Sequence, residues 1–153
     1  MSIYAISKCL VGEPCRYDGA ASTNTKVMEF LADKVEGRDY VLVCPEQLGG
    51  LPTPRVPAEI VGGSGDDVLA GRARVVNAEG GDVTDSFLEG AEAAAEMSRQ
   101  LGATDAILKA KSPSCGVHRI YDGTFTGRKR AGNGVAAARL AGIGVRVITD
   151  EDL

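Results

Sequence analysis

Apolar residues recur along this chain in short blocks that switch between two periods. Ile3-Tyr4-Ala5-Ile6-Ser7 reads as a first strand. Val27, Phe30, Leu31 and Val35 then return at helical spacing, behind Asn24 or Thr25 as a cap and before Gly37 as a stop. Tyr40-Val41-Leu42-Val43 is continuously apolar, the pattern of a buried parallel strand. The clearest helix runs from about Ser86 to Gln100, with Phe87, Ala91, Ala94 and Leu101 on one face. Ser86 with Glu89 fits a capping box there. Ala106-Ile107-Leu108 is a third strand, Val135 to Leu140 an Ala-rich helix ended by Gly142, and Val145 to Ile148 a last strand.

The intervening segments carry turn chemistry instead of a period. Lys8 to Thr23 is predicted to be a loop. Pro45 to about Asp67 holds four prolines and five glycines, which predicts irregular structure. Val68 to Val76 with Asp82-Val83 fits a small hairpin or edge strand around Glu79-Gly80-Gly81. Lys109 to about Gly132 is a second long loop. Loops of this length in a compact domain usually carry function. Strand and helix alternate, and no linker divides the chain. The expectation is one α/β domain over residues 1–153, with a parallel sheet and right-handed crossovers. Sites in such sheets form at the carboxyl ends of the strands.

Composition narrows the function. The chain has 153 residues, 44% hydrophobic and 25% charged, with a net charge of −4. That balance argues against electrostatically driven nucleic-acid binding, and no run of roughly 18 apolar residues offers a membrane span. The one basic cluster, Gly127-Arg128-Lys129-Arg130, reads as a solvated loop or a local anion contact. The N-terminus has no basic segment followed by a long apolar core, so a cytoplasmic location is expected. Oligomeric state is not encoded in any pattern seen here.

In a reducing compartment the four cysteines, Cys9, Cys15, Cys44 and Cys115, point to metal binding or catalysis more than to disulfides. Cys9 follows the first strand, Cys44 ends the second, and Cys115 lies in the loop after the third. If these strands are parallel, the three cysteines emerge at one sheet edge. Three thiolates with an open position suit a zinc ion or an iron–sulfur cluster with one iron free. The single histidine, His118, reads as a loop residue, and Cys15 as a ligand, a redox partner or a bystander. Glu46 is placed to act as a base beside a site that Cys44 lines, or else to cap a helix or pair with Arg55. Ser112 and Ser114 in "SPSCG" can donate to a substrate or to cluster sulfur, or simply form a turn.

Five stretches, "SKCLVGEPCRYDG", "CPEQLGGLPTPRVPAEI", "DVTDSFLEGAE", "KAKSPSCGVHRIYDGTFTG" and "GNGVAAARLAGIGV", together resemble domain-of-unknown-function family 523, which includes the thiouracil desulfidases. The match runs in order over nearly the whole chain. The resemblance implies a Rossmann-like three-layer sandwich and a [4Fe–4S] cluster held by Cys9, Cys44 and Cys115, with one iron not ligated by protein. Cys15 stands outside that ligand set. It further implies Glu46 as acid/base, Ser112 as the catalytic serine and Ser114 as a substrate contact. The implied reaction is non-redox desulfuration of a small thiolated base such as 2-thiouracil, giving uracil and hydrogen sulfide. Two other readings stand beside it. One is a non-catalytic iron–sulfur or zinc protein that binds or senses, and the other is a thiol redox protein using Cys9 and Cys15.

Overall fold

The structure, a computed structural model, describes residues 2–153. In chain order, β1 (Tyr4–Ser7) leads through a 3₁₀ turn (Lys8–Val11) to α1 (Thr25–Leu31) and β2 (Tyr40–Val43). A short helix α2 (Pro45–Leu48) follows, then β3 (Ala58–Val61), α3 (Gly65–Leu69) and β4 (Arg74–Asn77). The chain continues with α4 (Thr84–Leu101), β5 (Asp105–Leu108), β6 (Arg119–Tyr121), β7 (Lys129–Ala131), α5 (Val135–Gly142) and β8 (Arg146–Thr149).

The central sheet has the order β2-β1-β5-β8, and every pairing in it is parallel. Tyr4 lies opposite Tyr40 on one side and Asp105 on the other, and Ile6 opposite Leu42 and Ile107. Successive side chains leave a strand on opposite faces. Ala5 and Ala106 therefore pack with Ala95, Ala137 and Leu140 of α4 and α5. Ile6 and Ile107 face the other way, onto Leu10, Val27 and Leu31. Small residues on the first face let two helices lie close to the sheet, and the larger ones on the second fill the space under a single short helix. The result is the expected α/β three-layer sandwich. A third core joins the smaller antiparallel pairs β3–β4 and β6–β7 to α4 and α5 through Ile60, Val75, Phe87, Ile120 and Val135. Burial of each such side chain stabilises by about 1.5–3 kcal/mol.

Several expectations give way to local chemistry. β2 is an edge strand, with only Val43 fully buried, not a strand buried on both faces. Helix α1 is capped by Asn24 but ends at Leu31, because the Asp39 carboxylate accepts from the Val35 N–H at 2.8 Å and folds that segment into a turn. Val35 is consequently exposed. The Pro- and Gly-rich stretch after Pro45 contains α2, β3 and α3, and the loop after Lys109 contains the β6–β7 pair, so neither is irregular throughout. β4 pairs with β3, and Asp82 adds only an isolated bridge to Val76. Helix α4 begins at Thr84, where Asp82 accepts from the Thr84 N–H at 2.9 Å, so the Ser86–Glu89 capping box does not form. Among the described residues no helix is long and apolar enough to cross a membrane.

The segment after β2 is seated on α4 by two glycines. A Cβ on Gly49 would run into the Ser86 carbonyl, and one on Gly90 into the Pro45 carbonyl. Helix propensity alone would make Gly90→Ala stabilising by about 1 kcal/mol. Backbone against backbone cannot yield, so packing outweighs propensity. Gly90→Ala is expected to destabilise by about 1–3 kcal/mol or more and lower Tm by roughly 4–10 °C. Thermal unfolding followed by circular dichroism checks the sign.

Candidate active site

Three parallel strands deliver their following loops to one edge of the sheet. Cys9 sits in the 3₁₀ turn after β1, Cys44 is the N-cap residue of α2 directly after β2, and Cys115 lies in the loop after β5. All three, with Cys15, are buried and free of disulfides, and all four line one open cavity of roughly 1580 Å³. The strand order changes direction at β1, with β2 on one side and β5 on the other. The cavity opens at this switch point, where open α/β sheets bind ligands. His118 is exposed, donates its N–H to Asn133 Oδ1, and is absent from the cavity wall.

The loop that carries Cys115 is pinned at both ends. At its start, the Lys109 N–H donates to Ser7 Oγ (2.9 Å) and the Ala110 N–H to the buried carboxylate of Asp150 (2.8 Å). Lys111 then adopts φ +69°, a left-handed conformation that turns the chain sharply before Ser112. At its far end, the loop caps α5. The first N–H groups of a helix have no partner within it. Here the Val135 N–H donates to Pro113 O (2.8 Å) and the Ala137 N–H to Ser114 O (3.0 Å). Gly134 is required at this junction, because a Cβ there would overlap the Ser114 carbonyl.

Inside the turn, Ser112 Oγ accepts from the N–H groups of Ser114 (3.0 Å) and Cys115 (2.9 Å). Its own proton is therefore free to donate to Ser114 Oγ at 2.9 Å. Ser114 Oγ donates to Glu46 Oε1 at 2.7 Å. The hydroxyls thus form a directed chain from Ser112 through Ser114 to the carboxylate. Ser114, not Ser112, touches Glu46, and Ser112 orders the turn. Glu46 Oε2 faces Arg55 Nη2 at 3.7 Å. Of the readings offered for Glu46, the pairing with Arg55 is seen, and the carboxylate also lines the cavity with the cysteines.

One residue close to the thiols carries no signal of its own in the sequence: Ser7, the last residue of β1, whose side chain lies beside the Cys115 thiol. The Cys15 carbonyl accepts from Cys44 Sγ at 3.8 Å, and the Cys15 thiol lies beside those of Cys44 and Cys9. Cys15 is thus a close neighbour of the Cys9–Cys44 pair. Arg16, Asp18 and Asp122 brace loops. Arg16 pairs with Asp18 at 3.2 Å, and Asp122 accepts from the Thr124 N–H at 3.0 Å. The basic cluster is an exposed ribbon edge on β7 and its preceding turn.

Burial and the Glu46 charge push the Cys115 thiol up to about 12. Cys44 is raised by its hydrogen bond to Cys15, by burial and by Glu46. For Cys15 the hydrogen bond with Cys44 pulls downward, but the bond to Cys9, burial and nearby charge win, and it rises to about 11. Thiols in this state are protonated and slow as nucleophiles until a cation takes the charge. At pH 8, Cys115 is therefore ionised far less than a free thiol. In metal-free protein, iodoacetamide is expected to alkylate Cys115 far more slowly in the native than in the denatured state. Glu46→Gln removes a neighbouring negative charge, lowers the thiol pKa and speeds native-state alkylation, read by peptide mass spectrometry.

Comparison with known proteins agrees with this architecture. A family model described as 2-thiouracil desulfurase matches residues 4–152. The Bacillus subtilis (strain 168) protein called "Uncharacterized protein YbbK" is 46% identical over 148 residues, covering 97% of this chain and 95% of its own. The solved structure of the [4Fe-4S]-dependent thiouracil desulfidase TudS (DUF523Vcz) superposes with a TM-score of 0.84 at 38% identity. That match covers 100% of this chain and 93% of the TudS chain. With thiols, carboxylate and serines gathered at the switch point of the same fold, this chain belongs to the 2-thiouracil desulfurase family and is an enzyme.

Proposed function

We propose that this enzyme hydrolyses the C–S bond of a small thiolated nucleobase such as 2-thiouracil, giving uracil and hydrogen sulfide. The observation that carries the reading is the meeting of Cys9, Cys44 and Cys115 with the Ser112–Ser114–Glu46 chain at one cavity. The donor set supports a [4Fe–4S] cluster. It is all sulfur, buried, and distributed around a cavity. Four buried thiols without disulfides around one cavity are the donor chemistry that iron–sulfur clusters take, so the residues fit the group. Cys9, Cys44 and Cys115 would hold it, leaving one iron without a protein ligand. When bound, such a cluster supplies a Lewis acid that polarises a C=S bond.

The chain's own residues supply the proton chemistry. The Glu46 carboxylate takes a proton from the attacking water, whose oxygen forms the new C–O bond. As the C–S bond breaks, the same carboxyl returns that proton to the departing sulfur, then takes the hydroxyl proton released as the C=O bond forms and passes it to sulfur as well. Water thus provides the oxygen of uracil and both hydrogens of hydrogen sulfide, and no electron is transferred. The Ser114 hydroxyl holds Glu46 Oε1, and Ser112 keeps the Ser114 hydroxyl directed at it. The net charge of −4 favours a small molecule over a nucleic acid as substrate, and four free cysteines suit a reducing cytoplasm.

Sulfide release from 2-thiouracil by protein reconstituted anaerobically with iron and sulfide tests the reading. Glu46→Gln is expected to lower turnover by about 10²- to 10⁴-fold while keeping the visible absorbance of a thiolate-bound cluster. Full turnover in Glu46→Gln would remove the acid/base assignment. Ligation is checked separately by iron content. Cys115→Ala is expected to lose the cluster and Cys15→Ala to retain it.

A further inference from the structure

Arg55 is the least conspicuous charged residue of the site, and its surroundings are the most demanding. It stands in the connection between α2 and β3, and its side chain is only 9% exposed. A charge removed from water must be matched by acceptors. Arg55 Nη1 donates to Pro52 O (3.3 Å) and Thr53 Oγ1 (3.2 Å), and Nη2 donates to Cys15 O (3.0 Å). The same Nη2 faces Glu46 Oε2 at 3.7 Å. Thr53 Oγ1 also accepts from Gln47 Nε2 at 3.1 Å, and the Arg55 N–H donates to Tyr17 O at 2.7 Å. The guanidinium is therefore held by two chain segments, Pro52–Thr53 and the loop of Cys15, before it meets the carboxylate.

We propose that Arg55 is a positioning residue that orients the Glu46 carboxylate. The inference rests on the reading of Glu46 as the acid/base. The last torsion of a glutamate is broad and roughly two-fold, so one hydrogen bond does not set the plane of its carboxylate. Here each oxygen has its own partner, Ser114 Oγ on Oε1 and Arg55 on Oε2. Two fixed points on different loops define the plane. Among the other cations on the wall, Arg16 pairs with Asp18, Lys111 with Glu151, and Lys26 Nζ donates to Leu153 O. Arg55 is held through its fork, which an ammonium cannot reproduce.

Kinetics on holoenzyme of matched iron content, with 2-thiouracil as substrate, test this. Arg55→Met is expected to lower kcat by about 100-fold, the scale of a roughly 1 Å misplacement, and to leave KM within about threefold. Arg55→Lys keeps the charge without the fork and is expected to recover about tenfold of the lost rate. In a Glu46→Gln background, Arg55→Met is expected to cost less than about threefold more, because the two residues act as a unit. A crystal structure of metal-free Arg55→Lys gives a readout independent of activity, with the carboxylate plane turned away from Ser114 Oγ. If Arg55→Met keeps its kcat, if it raises KM alone, or if its full cost persists beside Glu46→Gln, the inference falls. An unmoved Glu46 in the Arg55→Lys structure would overturn it as well. Glu46→Gln at full turnover instead overturns the base assignment and, with it, the route through which Arg55 acts. Loss of activity in Glu46→Gln with normal Arg55→Met overturns the Arg55 inference alone.

Discussion

Parallel pairing of β1 with both β2 and β5 is the constraint on which the site depends. Parallel strands point their carboxyl ends the same way, so the loops after them share one edge of the sheet. A change to antiparallel pairing at any one of these strands would send one cysteine to the far side. The sheet is in turn held by alternation in β1 and β5. Ala5 and Ala106 admit α4 and α5 on one face, while Ile6 and Ile107 fill the other. The same two cores run up to the cysteines, with Cys115 in the first and Cys9, Cys15 and Cys44 in the second.

Local backbone chemistry then aims each group. Two glycine contacts seat α2 on α4, which brings Glu46 toward the loop after β5. That loop spends its carbonyls on the free N–H groups of α5, so a single set of bonds both starts a helix and fixes the Ser-Pro-Ser-Cys turn. The turn serine, Ser112, orders the backbone and leaves Ser114 as the hydroxyl that reaches the carboxylate. Burial and the Glu46 charge raise the proton affinity of the Cys115 thiol, and the Cys15 contact, burial and Glu46 that of Cys44, a tendency that a thiolate-binding cation would relieve.

Much of the site is legible because its logic is topological. Cys9, Cys44 and Cys115 each follow a strand that a short apolar run marks, and alternation with helices makes parallel pairing the expectation that places them together. The finer assignments are not periodic signals. Whether Ser112 or Ser114 meets Glu46 depends on the path of one turn, including a left-handed Lys111. Cys15 reaches the other thiols because the loop folds back, with the Ser22 N–H bonded to Cys9 O at 3.0 Å. β3, β6 and β7 are short and lie among prolines, glycines and charges, so no apolar alternation marks them.

The sequence by itself determined the α/β class and the parallel sheet, and with them the sheet edge on which the cysteines emerge, because burial imposes a period and parallel strands share an end. Tertiary structure decided which strand lies at the edge, which serine touches the carboxylate, and that Arg55 is buried against it. These depend on contacts between segments far apart in the chain, such as Ser114 with Glu46 and Arg55 with Cys15. No local pattern encodes such a contact, since its geometry exists only after the sheet has brought the loops together.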